Sequence, residues 1–534
     1  MYSTLFLVTL AVFTAFVLRR RRLGPLPPGP RGLPLLGNFR DIATSRDVSW
    51  IRYWKWSQVY GDIVHLKVFG HHTVVLNSAK VIEDLLEKRS KNYSDRPDMP
   101  MFMDLMGSTW NFAVFRYSDW WRMHRRTFHQ RFQQRAVPEY YDIQRSAASS
   151  FIDNLTRSPE NFLSHIQHFT GSIVLKIAYG YTLQTNDDPY IRLVLDMLEG
   201  VKAAAIHGSF WVDYLPILKY VPAWLPGAGF KKKAEEWRQS TREVRDRPWG
   251  WVKAAVEDGT ANPSFCTLSA DRLSVTLGDG SMTEEVIKNC AAMAYNGSSL
   301  LSGTDTVASS IVSFILAMVL HPEYQERAQK EIDAVVGTGR LPDFDDREKM
   351  PFVNALIAET LRWNPATPTG VDHRALNDDM YEGYFIPAGA TIVPNVWVVL
   401  HDETLYGPRT QDFDPDRFLK QELGKEIPPS PEIWAFGFGR RICPGRYLAV
   451  NNLYLAMSYI LASFTIKKPI DDAGVEITPE VDYMDGIISL AGPSPTIRED
   501  NRSLVLVEAP NLKLEAQKRR YEDLKHVGKI WDSS

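Results

Sequence analysis

The chain contains three cysteines, Cys266, Cys290 and Cys443, and the last lies in its most chemically informative stretch. Residues 436–445 read FGFGRRICPG. Phe436, Gly439, Arg441, Cys443 and Gly445 satisfy F-x-x-G-x-R-x-C-x-G at every fixed position, a chance match on the order of one in ten thousand or rarer. A cysteine that ligates a metal must be a thiolate, and a helix entry favours that form through its backbone N–H groups and positive end. Pro444 and Gly445 open such a helix, which the pattern carries to about residue 463. Gly437 and Gly439 let a tight loop pass close to a bound group. Arg441, two residues before the thiolate, is placed to meet an anion. The plain alternative is a buried structural cysteine on a Gly-rich loop.

Further stretches have the same character. Ser302-Gly303-Thr304-Asp305-Thr306 puts an acid directly before a threonine on a long helical pattern, a pairing that supplies a proton relay. Trp121 and Arg125 stand one helical turn apart on one face. Glu359-Thr360-Leu361-Arg362 gives E-x-x-R on a helix, but Glu235-Glu236-Trp237-Arg238 fits the same pattern, and a solvated i, i+3 ion pair is its usual meaning. Arg96 in SDRP and His373 in DHR are further polar candidates. Together these motifs resemble the cytochrome P450 haem-thiolate monooxygenases, and the resemblance runs from the N-terminal segment onward.

The resemblance implies a mainly α fold with small β-sheets, built as one large haem domain on an N-terminal transmembrane helix. It implies haem b, iron protoporphyrin IX, held by the Cys443 thiolate, which pushes electron density onto iron and favours O–O cleavage. Arg441, Trp121, Arg125, His373, Arg96 and Phe436 become cofactor-binding residues, and the buried propionates require paired donors. Asp305 and Thr306 become catalytic, managing protons for oxygen. Glu359, Arg362 and Arg417, the last in Pro415-Asp416-Arg417-Phe418, become a structural network. Phe112, Phe210, Thr304, Val371 and Leu490 become substrate contacts, mostly apolar, which suits a lipophilic small molecule.

The implied reaction inserts one oxygen atom from O2 into that molecule, within fungal secondary metabolism of terpenoids, steroids or polycyclic aromatics. Electrons come from NADPH through NADPH-cytochrome P450 reductase, with cytochrome b5 as a second donor. Two alternatives stay open. A haem-thiolate isomerase or dehydratase needs no reductase but commonly lacks the acid–Thr relay. A catalytically impaired haem-binding homologue would follow from residues 298–302, which read as a five-residue insertion. At 3.6 residues per turn it would rotate the preceding face by roughly 140° unless absorbed as a bulge, so the helix is expected to be distorted between Gly297 and Gly303. Val307 also stands where Thr or Ser is commoner.

The elements that must position these residues are mostly helices. Apolar spacing predicts helices over 118–135, 137–158, 189–206, 228–257, 283–320, 322–336 and 351–363. Ile63–Phe69 and His71–Leu76 alternate like two strands joined at Gly70. Short strand-like pieces recur near 371–376, 381–386 and 391–393. Residues 1–18 carry no charge and are followed by Arg19–Arg22; at 1.5 Å per residue they span roughly 27 Å, about the hydrocarbon thickness of the endoplasmic reticulum membrane. This predicts a single-pass anchor in membrane lipid at 1–18, an Arg cluster and Pro-rich hinge at 19–38, and a cytosolic haem domain at 39–534. A cleaved signal peptide would carry its charge before the apolar run.

Composition sets the outer limits. The 534 residues carry 61 Lys+Arg against 64 Asp+Glu, a formal charge of −3. That near-neutral balance gives no footprint for nucleic acid. Three cysteines exclude a disulfide framework, a Cys-rich zinc module and a four-cysteine iron–sulfur cluster. Arg122, Arg125, Arg126, Arg131 and Arg135, with Arg440 and Arg446, form a local basic face suited to a redox partner. Residues 207–230, apolar, aromatic and interrupted by prolines, read as an interfacial patch or as core.

Overall fold

The computed structural model describes residues 24–479, apart from 46, 184, 186–187, 205–207, 271–279, 298–303, 338, 420–425 and 469–474, and then 482–483, 491–492 and 505–508. The expected anchor at 1–18 and its Arg cluster lie outside the described residues. Among those described, no single helix is long and apolar enough to cross a membrane. The chain forms two compact units, Met1–Pro97 with Asp372–Asn395, and Asp98–Val371 with Val396–Ser534.

The first unit is built on α1 (Ser49–Tyr60), β1 (Ile63–Val68), β2 (His71–Leu76), β3 (His373–Arg374), β4 (Asp379–Tyr381), β5 (Tyr384–Ile386) and β6 (Thr391–Pro394). Its main sheet has the order β1-β2-β6-β3, with β2 and β6 parallel and the other pairs antiparallel. Phe69 and Gly70 close the first hairpin with φ of 46° and 89°, the twist a two-residue hairpin loop requires. Val64, Leu66, Val75 and Val393 form the core, and Tyr53, Trp56 and Tyr60 of α1 pack on it. The Pro-rich stretch is extended, as its prolines demand. It is also pinned to this unit: the Pro25 and Pro28 carbonyls accept from Phe385 and His65 N–H at 2.7 and 2.8 Å.

The second unit is helical. Its long helices are α2 (Asp119–Phe132), α3 (Tyr141–Arg157), α4 (Phe162–Tyr179), α5 (Pro189–Ala204), α6 (Gly229–Glu257), α7 (Gly280–Gly297), α8 (Thr304–Leu320), α9 (Pro322–Val336), α10 (Pro351–Trp363) and α11 (Arg446–Ser463). Strands β7 (Phe464–Lys467) and β10 (Val505–Glu508) pair antiparallel, as do β8 (Asp482–Tyr483) and β9 (Ala491–Gly492). α4 was not expected. Eleven of its eighteen residues are buried, and Ser164, His168, Ser172 and Lys176 leave only a narrow, less buried polar stripe, a weak 3.6-residue signal. α6 continues through Pro248, so packing outweighs the lost backbone bond. The expected helix at 283–320 is described as α7 and α8, and the suspected insertion between them lies outside the described residues.

Candidate haem-thiolate site

The loop before α11 is shaped by two left-handed glycines, Gly437 at φ 76° and Gly439 at φ 52°. A Cβ on Gly437 would meet only ordinary contacts, the nearest 3.9 Å away, so the demand is conformational rather than steric. The loop closes where Cys443 N–H donates to the Phe436 carbonyl at 2.7 Å. α11 begins at Arg446 with Gly445 as its N-cap. Its unsatisfied amides and positive end therefore lie just beyond Cys443. Cys443 is half-buried. Cys266 and Cys290 are buried, and desolvation pushes both thiols up, so neither is suited to ionise.

Cations gather round this loop. The buried Arg441 guanidinium donates to the carbonyls of Phe115 at 2.7 Å and Phe112 at 3.5 Å. It lies 4.2 Å from the Trp121 ring centre. Trp121 in turn packs on Tyr117 with ring centres 5.2 Å apart. Arg440 bonds the Tyr117 hydroxyl. Burial raises the Tyr117 phenol, but hydrogen bonds from Arg440 and Arg122 outweigh it and lower the group. Arg125, one turn beyond Trp121, is half-buried. Desolvation pulls its guanidinium down to about 10, while the charge of Cys443 acts to raise it. No carboxylate pairs with Arg125 among the described residues. On the same helix Arg122 pairs with Asp119, and Arg131 donates to Leu268 carbonyl at 3.0 Å.

A half-buried arginine with no carboxylate partner among the described residues, electrostatically coupled to a cysteine at a helix head, fits a cofactor that presents a carboxylate near a thiolate-bound metal. In the first unit, Arg96 is buried and its Nη1 donates to the Asp372 carbonyl at 2.6 Å. Burial draws this guanidinium down to about 10, against the pull of the Asp372 and Asp95 charges. His373 is buried, its Nδ1 2.6 Å from the Tyr93 carbonyl, which fixes the ring.

The two E-x-x-R matches separate sharply. Glu359 and Arg362 are wholly buried and joined by two 2.7 Å hydrogen bonds, Nε to Oε2 and Nη2 to Oε1. Arg417 Nε reaches Glu359 Oε1 at 3.2 Å, and the Asp414 N–H donates to the same oxygen at 2.7 Å. Arg362 also donates to the carbonyls of Leu400, Thr410 and Asp412. The charge of this cluster adds to desolvation in pulling the neighbouring His401 down to about 3. Glu235 and Arg238 sit 3.7 Å apart on the surface.

The remaining candidates are dispersed. Phe112 is buried, its ring 5.5 Å from Phe128. Phe210 is half-buried against Trp237. Val371 is half-buried beside the helical core. Thr306 is half-buried in the first turn of α8, its carbonyl accepting from Ser310 Oγ at 2.9 Å. The side chains of Thr304 and Asp305, and Leu490 entirely, lie outside the described residues. Sequence reasoning missed the anchoring of Arg441 by the Phe112 and Phe115 carbonyls, because a backbone acceptor leaves no mark in residue type. It also missed Tyr117, whose position four residues before Trp121 was the available signal.

A haem-thiolate enzyme is the class this fold and loop define. A model of the cytochrome P450 family matches residues 27–482. A cytochrome P450 monooxygenase of Armillaria gallica is 41% identical over 503 residues, covering 93% of this chain and 96% of the relative. A cytochrome P450 monooxygenase of Coprinopsis cinerea is 39% identical over 490 residues, covering 92% and 91%. One of Postia placenta is 40% identical over 488 residues, covering 91% and 92%. The chain belongs to the cytochrome P450 family and is a monooxygenase. Haem with thiolate ligation, O2, a redox partner and a substrate follow from that membership.

Proposed function

We propose that this protein is an endoplasmic reticulum monooxygenase of fungal secondary metabolism, oxidising a lipophilic terpenoid, steroid or polycyclic aromatic compound. Electrons reach it from NADPH through NADPH-cytochrome P450 reductase, with cytochrome b5 as an auxiliary donor. The reading rests chiefly on one observation, the half-buried Arg125 with no carboxylate partner among the described residues, coupled to Cys443 at the head of α11.

In this reading Cys443 is the axial ligand of haem b, and the N-terminus of α11 stabilises its thiolate. Arg125 and Arg96 take the propionates, and Trp121 backs Arg441. The haem supplies the oxygen-activating chemistry when bound. Thr306 holds a hydroxyl, and Asp305 a carboxyl, at the start of α8 to deliver protons. The buried network of Glu359, Arg362 and Arg417 fixes α10 to the chain at 400–417.

Exposed apolar side chains favour a membrane location. Trp211, Leu215, Ile217, Tyr220 and Trp224 all face solvent within fourteen residues, Trp224 at 80% exposure. Aromatic residues of this kind favour the membrane–water interface, and residues 1–18 supply the anchor, while the stretch from Gly24 to Asn38 is held against the first unit and does not act as the expected hinge. Arg126, Arg135 and Arg440 are exposed and favour docking of an acidic reductase surface. The test is co-expression with a fungal reductase, metabolite profiling and labelling with heavy-isotope O2. One labelled oxygen atom in an NADPH-dependent product is expected. Product formed without NADPH would favour the isomerase or dehydratase reading instead.

A further inference from the structure

Two consecutive arginines of the thiolate loop hold the same short segment at two points. Arg440 and Arg441 lie in the 3-10 turn Gly439–Arg441. Arg441 is buried, takes the Phe112 and Phe115 carbonyls, and rests on the Trp121 ring. Arg440 is exposed and bonds the Tyr117 hydroxyl, with its guanidinium carbon 5.5 Å from the centre of that ring. Arg440 makes no ion pair among the described residues, so its guanidinium is held by an uncharged phenol. The Arg441 contacts are accounted for by the site already described. The bond between Arg440 and Tyr117 is not.

Tyr117 stands immediately before Ser118, whose Oγ accepts from Trp121 N–H at 3.2 Å and caps α2. Its ring centre lies 5.2 Å from that of Trp121 and 5.4 Å from the Arg122 guanidinium carbon. A side chain that packs on the first turn from this position sets the angle at which the chain enters the helix. Tyr117 thus belongs to α2 by its ring and to the thiolate loop by its hydroxyl. α2 also carries Arg125, whose guanidinium feels the charge of Cys443. The loop turns on Gly437 and Gly439, residue types with little conformational preference of their own. It closes only on itself through the bond from Cys443 N–H to the Phe436 carbonyl. Side-chain ties must therefore set its orientation against α2. Arg441 supplies one tie and Arg440 the second, and two ties fix a rotation that one leaves free. We infer that Tyr117 is a positioning residue for the cofactor: by holding Arg440, its hydroxyl fixes the thiolate loop to the head of α2 and so sets Cys443 against Arg125. Tyr117 acts through Arg440 and has no need to touch cofactor or substrate. The inference rests on the roles proposed above for Cys443 and Arg125.

The test uses full-length, haem-loaded protein, reduced and carrying carbon monoxide, with Tyr117→Phe, Arg440→Ala, the two combined, and Arg440→Lys. The rate at which the thiolate band gives way to that of a thiol-bound haem is followed in mild denaturant. Helix content is followed by circular dichroism on the same samples. Tyr117→Phe keeps the ring against Trp121 and loses only the hydroxyl. It is expected to speed the conversion about fivefold while helix content stays constant, a modest scale because the bond faces solvent. Arg440→Ala should match it, the double variant should be no faster than either, and Arg440→Lys should fall between Arg440→Ala and the unaltered protein. An unchanged rate in Tyr117→Phe overturns the assignment. So do single effects that multiply in the double variant, which would make the two residues independent. Loss of helix in step with the band also overturns it, since Tyr117 would then support the fold alone. A haem-loaded, unaltered protein without a thiolate band would instead remove the reading on which the inference rests.

Discussion

Replacing Glu359 by Gln removes one negative charge from a site where two arginines have no water to turn to. Glu359 accepts four hydrogen bonds, from Arg362 Nε and Nη2, Arg417 Nε and Asp414 N–H. Its side chain and that of Arg362 are 0% exposed and Arg417 is 6% exposed. Gln keeps the volume and one acceptor oxygen, so the Asp414 bond survives. Arg362 Nη2 and Arg417 Nε keep the same oxygen, now uncharged, while Arg362 Nε, which met Oε2, faces a new amide N–H. Removing one partner of a buried ion pair costs roughly 3–5 kcal/mol, and the preserved shape places this case near 3. Glu235→Gln is the matched control, with the same E-x-x-R spacing on a 72% exposed side chain, and should cost about 0–1 kcal/mol. Denaturant-unfolding midpoints and unfolding rates of both variants, with haem retention followed in parallel, make the comparison. Loss of less than 1 kcal/mol in Glu359→Gln, or equal losses in the two variants, would refute the reasoning.

Three further outcomes are expected. Arg125→Ala should weaken haem binding about tenfold or more while leaving the fold intact, since it removes a charge-assisted contact to a carboxylate; unchanged haem affinity by haem-transfer assay would count against Arg125. Asp213 is buried, with Oδ1 accepting from Met101 N–H at 3.1 Å, Oδ2 without a partner among the described residues, and the group raised by desolvation from 3.8 to about 6. The fold therefore binds this proton more tightly than the unfolded chain. Stability from this residue should rise as pH falls through about 6 and level off below about 4, by roughly 3 kcal/mol at most. In Asp213→Asn that pH dependence should disappear, and a difference between the two proteins that stays constant from pH 7.5 to 5 would contradict it. Gly437→Ala should cost about 1–2 kcal/mol from its left-handed backbone yet keep the thiolate spectrum, because the new Cβ meets no close atom; loss of the spectrum with little loss of stability would show a steric role instead.

Much of the scaffold was legible because periodic patterns carry it. Ile63–Phe69 and His71–Leu76 were readable as a hairpin, since alternation and Gly70 act together. α9 and α10 begin with Pro322 and Pro351 in their first turns, positions where proline marks a helix start. α4 was hidden because its polar stripe, Ser164, His168, Ser172 and Lys176, is narrow beside a broad buried face. The start of α3 was misread by a few residues, since Pro138 opens a 3-10 turn at Val137–Tyr140. At the site, residue type pointed to Cys443, Arg125 and the Glu359 network. The E-x-x-R spacing by itself could not tell the buried Glu359–Arg362 pair from the surface Glu235–Arg238 pair, because burial is a tertiary property; the family resemblance, through Arg417, is what singled out the first. Nor could residue type show that Arg441 rests on the Trp121 ring, a contact across more than three hundred residues of chain.

The central claim is that Cys443 alone supplies the thiolate to the haem. The most direct measurement is the carbon monoxide difference spectrum of the reduced, purified protein beside its Cys266→Ser, Cys290→Ser and Cys443→Ser variants, each matched for haem content. The thiolate band is expected in the unaltered protein and in the first two variants, and its complete loss is expected in Cys443→Ser. A thiolate band that survives in Cys443→Ser, or that is absent from the unaltered haem-loaded protein, would contradict the account.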